Sequence, residues 1–419
     1  MSIFPPKPTA IILGGLNTYS RALAAHLVPV QGQPLVSHLR IVDKFSVSPP
    51  TCYIGAEFPK VLTQPIVEYR QANLTVTATV SSVFDPPAGR DQYSYVFDFT
   101  GEPRHDRHED VQIASTLNVA RLVGQEAARR RVKAYVRLQL PFYNTPEKGS
   151  HEEKEDIKPV GAHGIWWHET LRTLAAIASL NLVVVRAGYI YGPYLDFGLF
   201  PAVMACAATY GFVNQPLKVL WSPGKFPVNT VHIDDVVGSL WACASWMAHL
   251  GRVQADSIAG EVIHFHNDKS RIKDLEGVAP HDSKIVAPLF NIVDDSNTTF
   301  ISWVNSVAAL FGTTTEYFDL MHRTLAKFMM EEIAEEINGE HVGIWTTMIT
   351  TSDPPVSNTP LSPYIDARML DKHVVGLNNG KIKSVVGYRL QRPQFGQVAL
   401  REMVDKWKVE GTWPIQATL

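Results

Sequence analysis

The sequence predicts an α/β protein: a doubly wound parallel sheet with a smaller C-terminal lobe. Short β-branched or apolar runs recur at 9–13 (TAIIL), 39–43 (LRIVD), 95–99 (YVFDF), 133–140 (KAYVRLQL) and 182–185 (LVVV), alternating with longer helix-like stretches. The last run is broken at its carboxyl side by Tyr191-Gly192-Pro193, the end at which such sheets place their ligands. With 419 residues, 45% of them hydrophobic, the chain is long enough for one large domain and a second lobe, each with a core.

Composition narrows the class. A net charge of −3 without a long basic block leaves no electrostatic footprint for nucleic acid. Cys52, Cys206 and Cys243 are widely spaced, which fits neither a disulfide framework nor a zinc site and points to a reducing compartment. The start MSIFPPKPTA lacks a basic region followed by a long apolar one, and the longest apolar stretch, 197–213, carries a Gly and a Pro. A cytoplasmic protein with no membrane partner is expected. The chain has no internal repeat.

Taken in order, the 9–13 strand runs into GGLNTYSRALAAHL, a turn and an amphipathic helix. Asp43 ends the second strand, and the 95–99 strand leads into Thr100-Gly101-Glu102. Residues 109–131 carry apolar positions at helical spacing and a basic end suited to a helix C-terminus. The polar insert HEEKEDIKP at 151–159 reads as a solvated loop. PVGAHGIWWHETLRTLAAIASL follows as a helix. Beyond Pro193 come an apolar helix at 197–212, a strand near 218–221, a return to the first domain at 229–250, where Asp234 or Asp235 caps a helix, two helices around 315–337 and a closing helix near 395–410.

Arg186-x-x-x-x-Tyr191-Gly192-Pro193, followed about 40 residues later by Val231-His232-x-Asp234-Asp235-Val236, resembles the extended short-chain dehydrogenase/reductase family of sugar-nucleotide epimerases and hydroxysteroid dehydrogenases. SNTPLSPYID at 357–366 and GKIKSVVGYRLQRP at 380–393 resemble a fungal branch, so the likeness covers nearly the whole chain. It implies a Rossmann-type domain over 1–195 and 229–260, and a substrate lobe over 196–228 and 261–419. It also implies a homodimer through the helices at 109–131 and 161–180, both of which carry apolar positions beyond one core face.

Against the family pattern several site residues have changed. The places of the three loop glycines hold Gly14, Asn17 and Ser20, with Gly15 beside the first. A side chain at Asn17 would stand where diphosphate approaches bare backbone. Asp43 keeps the acid that accepts ribose hydroxyls, and Asn73 stands where relatives contact adenine. Weak or absent NAD binding is the expectation.

The catalytic Tyr-x-x-x-Lys is gone. Glu169 and the helix after it align Gly161 with the tyrosine and Ile165 with the lysine, and none of the 14 tyrosines has a lysine four residues on. His168 lies on the stripe of 161 and 165 and is the nearest titratable group, with Tyr143, Asp98 and Glu102 as supporting hydrogen-bond groups. A purely structural His168 remains the alternative. The favoured function is a non-redox isomerisation, cyclisation or dehydration of a small apolar, natural-product-like substrate. An NAD-dependent oxidoreductase or epimerase with substitute acid/base groups, or a non-catalytic protein, are the alternatives.

Overall fold

In the computed structural model, which describes residues 7–415 apart from Arg90 and Lys327, the β-branched runs become one eight-stranded sheet. Its order is Gly260–Val262, Val286–Ile292, Leu182–Ala187, Ala134–Gln139, Tyr95–Asp98, Thr9–Leu13, His38–Asp43, Val67–Gln71. Every neighbouring pair is parallel except the edge Gly260–Val262, which runs antiparallel. The chain order reverses at Thr9–Leu13, so this is a Rossmann-type doubly wound sheet with its switch point beside the glycine loop.

Alternation along the strands builds a core on each face. Ile12, Val136, Val183 and Val185 pack with Leu23 and Leu240 from the helices Thr18–Leu27 and Ile233–Leu250. Ile11, Leu13, Val96 and Val184 pack with Val123 and Leu174, from Val119–Arg129 and Gly161–Ala175. The smaller lobe contains the helices Leu199–Phe212, Phe300–Leu310, Met330–Thr350 and Gln397–Val409 and the parallel pair Leu217–Val219 with Thr315–Tyr317. Among the described residues no helix is long and apolar enough to cross a membrane.

Several local expectations change. Val286–Ile292 joins the large sheet, pairing Leu289 with Val184, although the sequence division assigns 261–419 to the lobe. Pro288 argues against an interior strand, but it faces only the short antiparallel edge, opposite Gly260. The 109–131 helix is split into Glu109–Gln112, a π-helical stretch Ile113–Asn118, and Val119–Arg129. Around 315–337 a strand precedes the short helix Leu320–Leu325, and Met330–Thr350 extends well past the expected end.

The 151–159 insert is folded in. Glu153 is buried and accepts from the Asn291 amide at 2.7 Å, while the His151 amide donates to the Gly376 carbonyl at 2.9 Å. His232, not an aspartate, caps Ile233–Leu250, accepting from the Asp234 amide at 3.2 Å. Asp235 instead holds the 388–392 segment, taking bonds from Tyr388 Oη at 2.9 Å and from the amides of Gln391 and Arg392 at 2.6 and 2.9 Å.

Part of the faces expected to pair two subunits is covered within the chain, while Val111 stays exposed. Trp166 is fully buried with Leu117 and Ile272, against Phe265, Leu275 and Val278. Arg172 ties this cover down through the carbonyls of Ile263 and Pro280, each at 2.8 Å, and Arg271 pairs with Glu109 at 2.6 Å. Some of the extra apolar positions thus have an intramolecular use. The homodimer through these helices stands as a proposal, checked by light scattering at micromolar concentration: a dimer weakened by Val111→Glu is expected, and a monomer would remove it.

Candidate active site

The first strand ends at Gly14 with φ +71°, where an added Cβ would lie 2.8 Å from the Phe99 carbonyl, so only glycine lets this turn pack on the chain leaving Tyr95–Asp98. Gly15 is as tight, with a Cβ 2.3 Å from Ile41 Cγ2. Asn17 is extended (φ −73°, ψ 166°) and is the N-cap of Thr18–Leu27. Its Oδ1 accepts from the Ser20 amide at 2.9 Å and its Nδ2 donates to the Phe99 carbonyl at 3.3 Å. The side chain is therefore folded onto its own loop.

Asp43 accepts from the amides of Leu16 at 3.0 Å and Lys44 at 2.7 Å, linking the second strand to the glycine loop. Burial pushes its carboxyl up, against the pull of these amides. Asn73 closes a local turn, its Oδ1 accepting from Thr75 N at 3.1 Å and Oγ1 at 2.8 Å.

A cleft of about 600 Å³ begins at Asn17, Thr18 and Tyr19 and runs between the sheet's carboxyl edge and the lobe segments 195–202 and 360–373. From the helix Gly161–Ala175 and the residue before it, Val160, His163 and Trp167 face this space. Gly161, Ile165 and His168 are not among its walls. The one-turn pair that starts at the cleft is thus Val160 and Gly164, and an added Cβ on Gly164 would be 2.9 Å from the Phe142 carbonyl. Neither register holds a tyrosine and lysine.

Three titratable groups gather on the wall. His105 Nε2 lies 2.8 Å from Asp366 Oδ1, and the His105 and His163 rings are 5.9 Å apart. Burial, reinforced by the charges of His105 and Arg368, lowers His163 to about 4, so it is neutral at pH 7. Burial pushes Asp366 up, but its bonds to His105 and the Met369 amide outweigh this and hold it below the usual carboxylate value. Phe142 stands edge-on to both His163 and Trp167, with centroids 4.7 and 5.3 Å away. Tyr19, raised to about 12 by burial and then by Asp196, is a hydrogen-bond donor here.

The residues singled out from sequence lie elsewhere. His168 Nδ1 is 3.1 Å from Tyr143 Oη and its Nε2 is 2.7 Å from the His264 carbonyl, a sealed arrangement that brings these two together outside the cleft. Asp98 is fully buried, accepting from Arg137 Nη1 at 2.7 Å, Tyr135 Oη at 2.6 Å and Thr100 Oγ1 at 2.7 Å. Glu102 accepts from the Arg104 amide at 3.1 Å, and its carbonyl takes the Trp167 indole N–H at 3.0 Å. The sequence reading missed His105, His163 and Asp366. Its nearest signals were the histidine-rich stretch 105–108 and the SNTPLSPYID motif, which ends in Asp366.

His168 also sets a pH dependence. Burial lowers it to about 3, against about 6.5 for an unfolded histidine. The unfolded chain therefore binds a proton first as pH falls, so this group's stabilising contribution is present above pH 6.5 and is lost between about 6.5 and 3, at up to about 1.4 kcal/mol per pH unit. Urea midpoints measured from pH 7 to 5 are expected to fall less steeply in His168→Gln than in the parent. Parallel slopes would show that His168 is not held neutral.

No family model matches the sequence, and no curated protein matches it. Solved structures do. The Bordetella bronchiseptica enzyme WbmG in complex with NAD is 12% identical, with a TM-score of 0.61 over 100% of both chains. UDP-glucose 4-epimerase from Thermotoga maritima, with UDP-glucose, is 13% identical with a TM-score of 0.58, covering 96% of this chain and 99% of its own. UDP-glucuronic acid 4-epimerase from Bacillus cereus, with UDP-glucuronic acid and NAD, is 10% identical with a TM-score of 0.58, over 96% and 99%. The expectation of weak or absent NAD is overturned by the Bordetella bronchiseptica and Bacillus cereus structures, which hold the dinucleotide in the same architecture. Its physical premise fails too, because Asn17 caps the helix in place of standing out from the loop. At these identities the likeness is one of fold, and that fold is the Rossmann-type architecture of the NAD-bound sugar-nucleotide epimerases.

Proposed function

We propose that this protein is an NAD-dependent oxidoreductase or epimerase in which His105, held by Asp366, replaces the tyrosine and lysine of the usual mechanism. The observation that carries the reading is the 2.8 Å imidazole–carboxylate pair on the cleft wall. It takes precedence over a non-redox isomerisation, cyclisation or dehydration, because a glycine loop, an acid at the end of the second strand and a proton-transfer pair together suit hydride chemistry.

The residues present fit the dinucleotide. The Gly15 and Ser20 amides are given to the Val42 carbonyl and Asn17 Oδ1, so the Thr18 and Tyr19 amides that open Thr18–Leu27 would hold its diphosphate, Asp43 its adenosine ribose, and Asn73 stands for the adenine contact. Bound NAD would supply a hydride acceptor and donor for a carbon bearing a hydroxyl. Oxidation of that hydroxyl also requires a proton acceptor. With Nε2–H given to Asp366, His105 offers the lone pair of Nδ1, and the carboxylate stabilises the imidazolium that forms. In the reverse direction the same nitrogen returns the proton. His163, neutral at pH 7, positions the substrate oxygen by a hydrogen bond without adding charge. Phe142 and Trp167 form the aromatic part of this wall.

Titration calorimetry and native mass spectrometry test the premise. One NAD per chain is expected, with affinity at least about tenfold weaker in Asp43→Ala, from loss of charge-assisted hydrogen bonds to the ribose. A parent protein that takes up no NAD would sink the reading.

A further inference from the structure

The smaller lobe encloses a second cavity, of about 90 Å³. Tyr189, Leu199, Met369, Asp371 and His373 line both it and the cleft, so the two spaces are neighbours. Its wall is apolar and largely aromatic, with Val203, Leu217, Phe226, Phe300, Phe318 and Ile337. Of its polar members, Lys218, Asp371 and His373 are each at least partly exposed and belong to its mouth.

Two further polar groups stand on deeply buried walls. Trp303 and His341 are 2% and 3% exposed, and Trp303 Nε1 and His341 Nε2 have no hydrogen-bond partner among the described residues. The other imidazole nitrogen of His341 is engaged, 3.4 Å from Cys206 Sγ, whose thiol donates to the Pro363 carbonyl at 2.9 Å. Buried donors and acceptors are nearly always paired, and an unpaired one calls for an explanation. The space far exceeds the roughly 10–15 Å³ one water needs; its mostly apolar wall suits a hydrocarbon body, and the two unpaired groups call for one polar atom on it.

We propose that this chamber takes the apolar arm of the substrate: a compact cyclic or branched hydrocarbon group carrying one oxygen. That oxygen accepts from the Trp303 indole N–H, and a hydroxyl can also donate to a group such as His341 Nε2. The proposal rests on the oxidoreductase reading for the chemistry in the cleft and goes beyond it by naming a hydrocarbon alcohol, not a nucleotide sugar, as the substrate class. A uridine diphosphate arm needs polar and cationic contacts along its length, which the inner wall of this chamber does not provide; the cations Arg104 and Arg368 line the neighbouring cleft instead.

Benzyl alcohol, toluene and UDP-glucose serve as probes in calorimetry and ligand-observed NMR on the whole protein. Benzyl alcohol is expected to bind saturably, and Val203→Trp, which fills the chamber, to weaken it at least tenfold with NAD affinity unchanged. Trp303→Phe keeps the packing and removes the donor. It is expected to weaken benzyl alcohol several-fold and leave toluene unaffected, and it carries the test alone should Val203→Trp not fold. Binding of UDP-glucose without benzyl alcohol, or benzyl alcohol binding indifferent to these substitutions, overturns the proposal. NAD calorimetry in the same samples reports separately on the oxidoreductase reading, since Val203 and Trp303 lie outside the glycine loop.

Discussion

His105→Asn is expected to lower turnover by about 10²- to 10⁴-fold, the usual contribution of a positioned acid/base group. An asparagine fills part of the same space but cannot accept the hydroxyl proton at neutral pH. The parent places the imidazole for this task by fixing Nε2 on Asp366 at 2.8 Å, so Asp366→Asn is expected to lower kcat as well, by unpinning the ring and removing the charge that stabilises imidazolium. His163→Gln should chiefly raise KM, because a neutral group that orients the substrate acts on binding more than on the proton. The substrate is found by comparing metabolites of a deletion strain with its parent, and turnover is read from nicotinamide absorbance. Retention of the parent kcat by a folded His105→Asn would remove His105 from the mechanism.

Asp98→Ala is expected to cost about 3–5 kcal/mol of folding stability, the range for breaking a buried ion pair from one side. Asp98 and Arg137 are both fully buried, at 2.7 Å, with the Arg137 guanidinium 4.8 Å above the Trp167 ring. Deleting the carboxylate leaves that cation with Thr100 Oγ1 at 3.2 Å and no counter-charge among its described bonds. The double variant Asp98→Leu with Arg137→Met should recover much of the loss, because an apolar pair of similar volume carries no desolvation penalty. Urea unfolding of the two variants checks this, and a single-variant loss below about 1 kcal/mol would show that the pair is not structural. Asp98 is thus assigned here to the sheet's interior, beneath the cleft wall formed by Trp167.

The helix Gly161–Ala175 shows how a small error in register moves a site. Placing the tyrosine position at 161 puts His168 on the functional stripe, whereas 160, 163 and 167 face the cleft. One residue turns a helix by about 100°, enough to exchange a cleft wall for a buried seam. Nothing in local spacing reveals which stripe meets the cleft. That depends on how the first turn enters at Gly161, with φ +67°, and on Phe142 packing against Gly164.

What the sequence by itself determined is the sheet's central part and its ligand edge. An unbroken apolar run such as LVVV reads as a strand buried on both faces, and a glycine after the first strand and an acid ending the second mark the ligand edge, although the Phe99 carbonyl that makes Gly14 obligatory and the Leu16 amide that Asp43 holds are brought there by the fold. The pairing of His105 with Asp366, the cover laid over Trp166 by residues 263–280, and the walls around Trp303 were decided by tertiary structure alone. The physical reason is separation along the chain: strand propensity and turn geometry act over a few residues, whereas a proton-transfer pair or a cavity exists only once distant segments have packed.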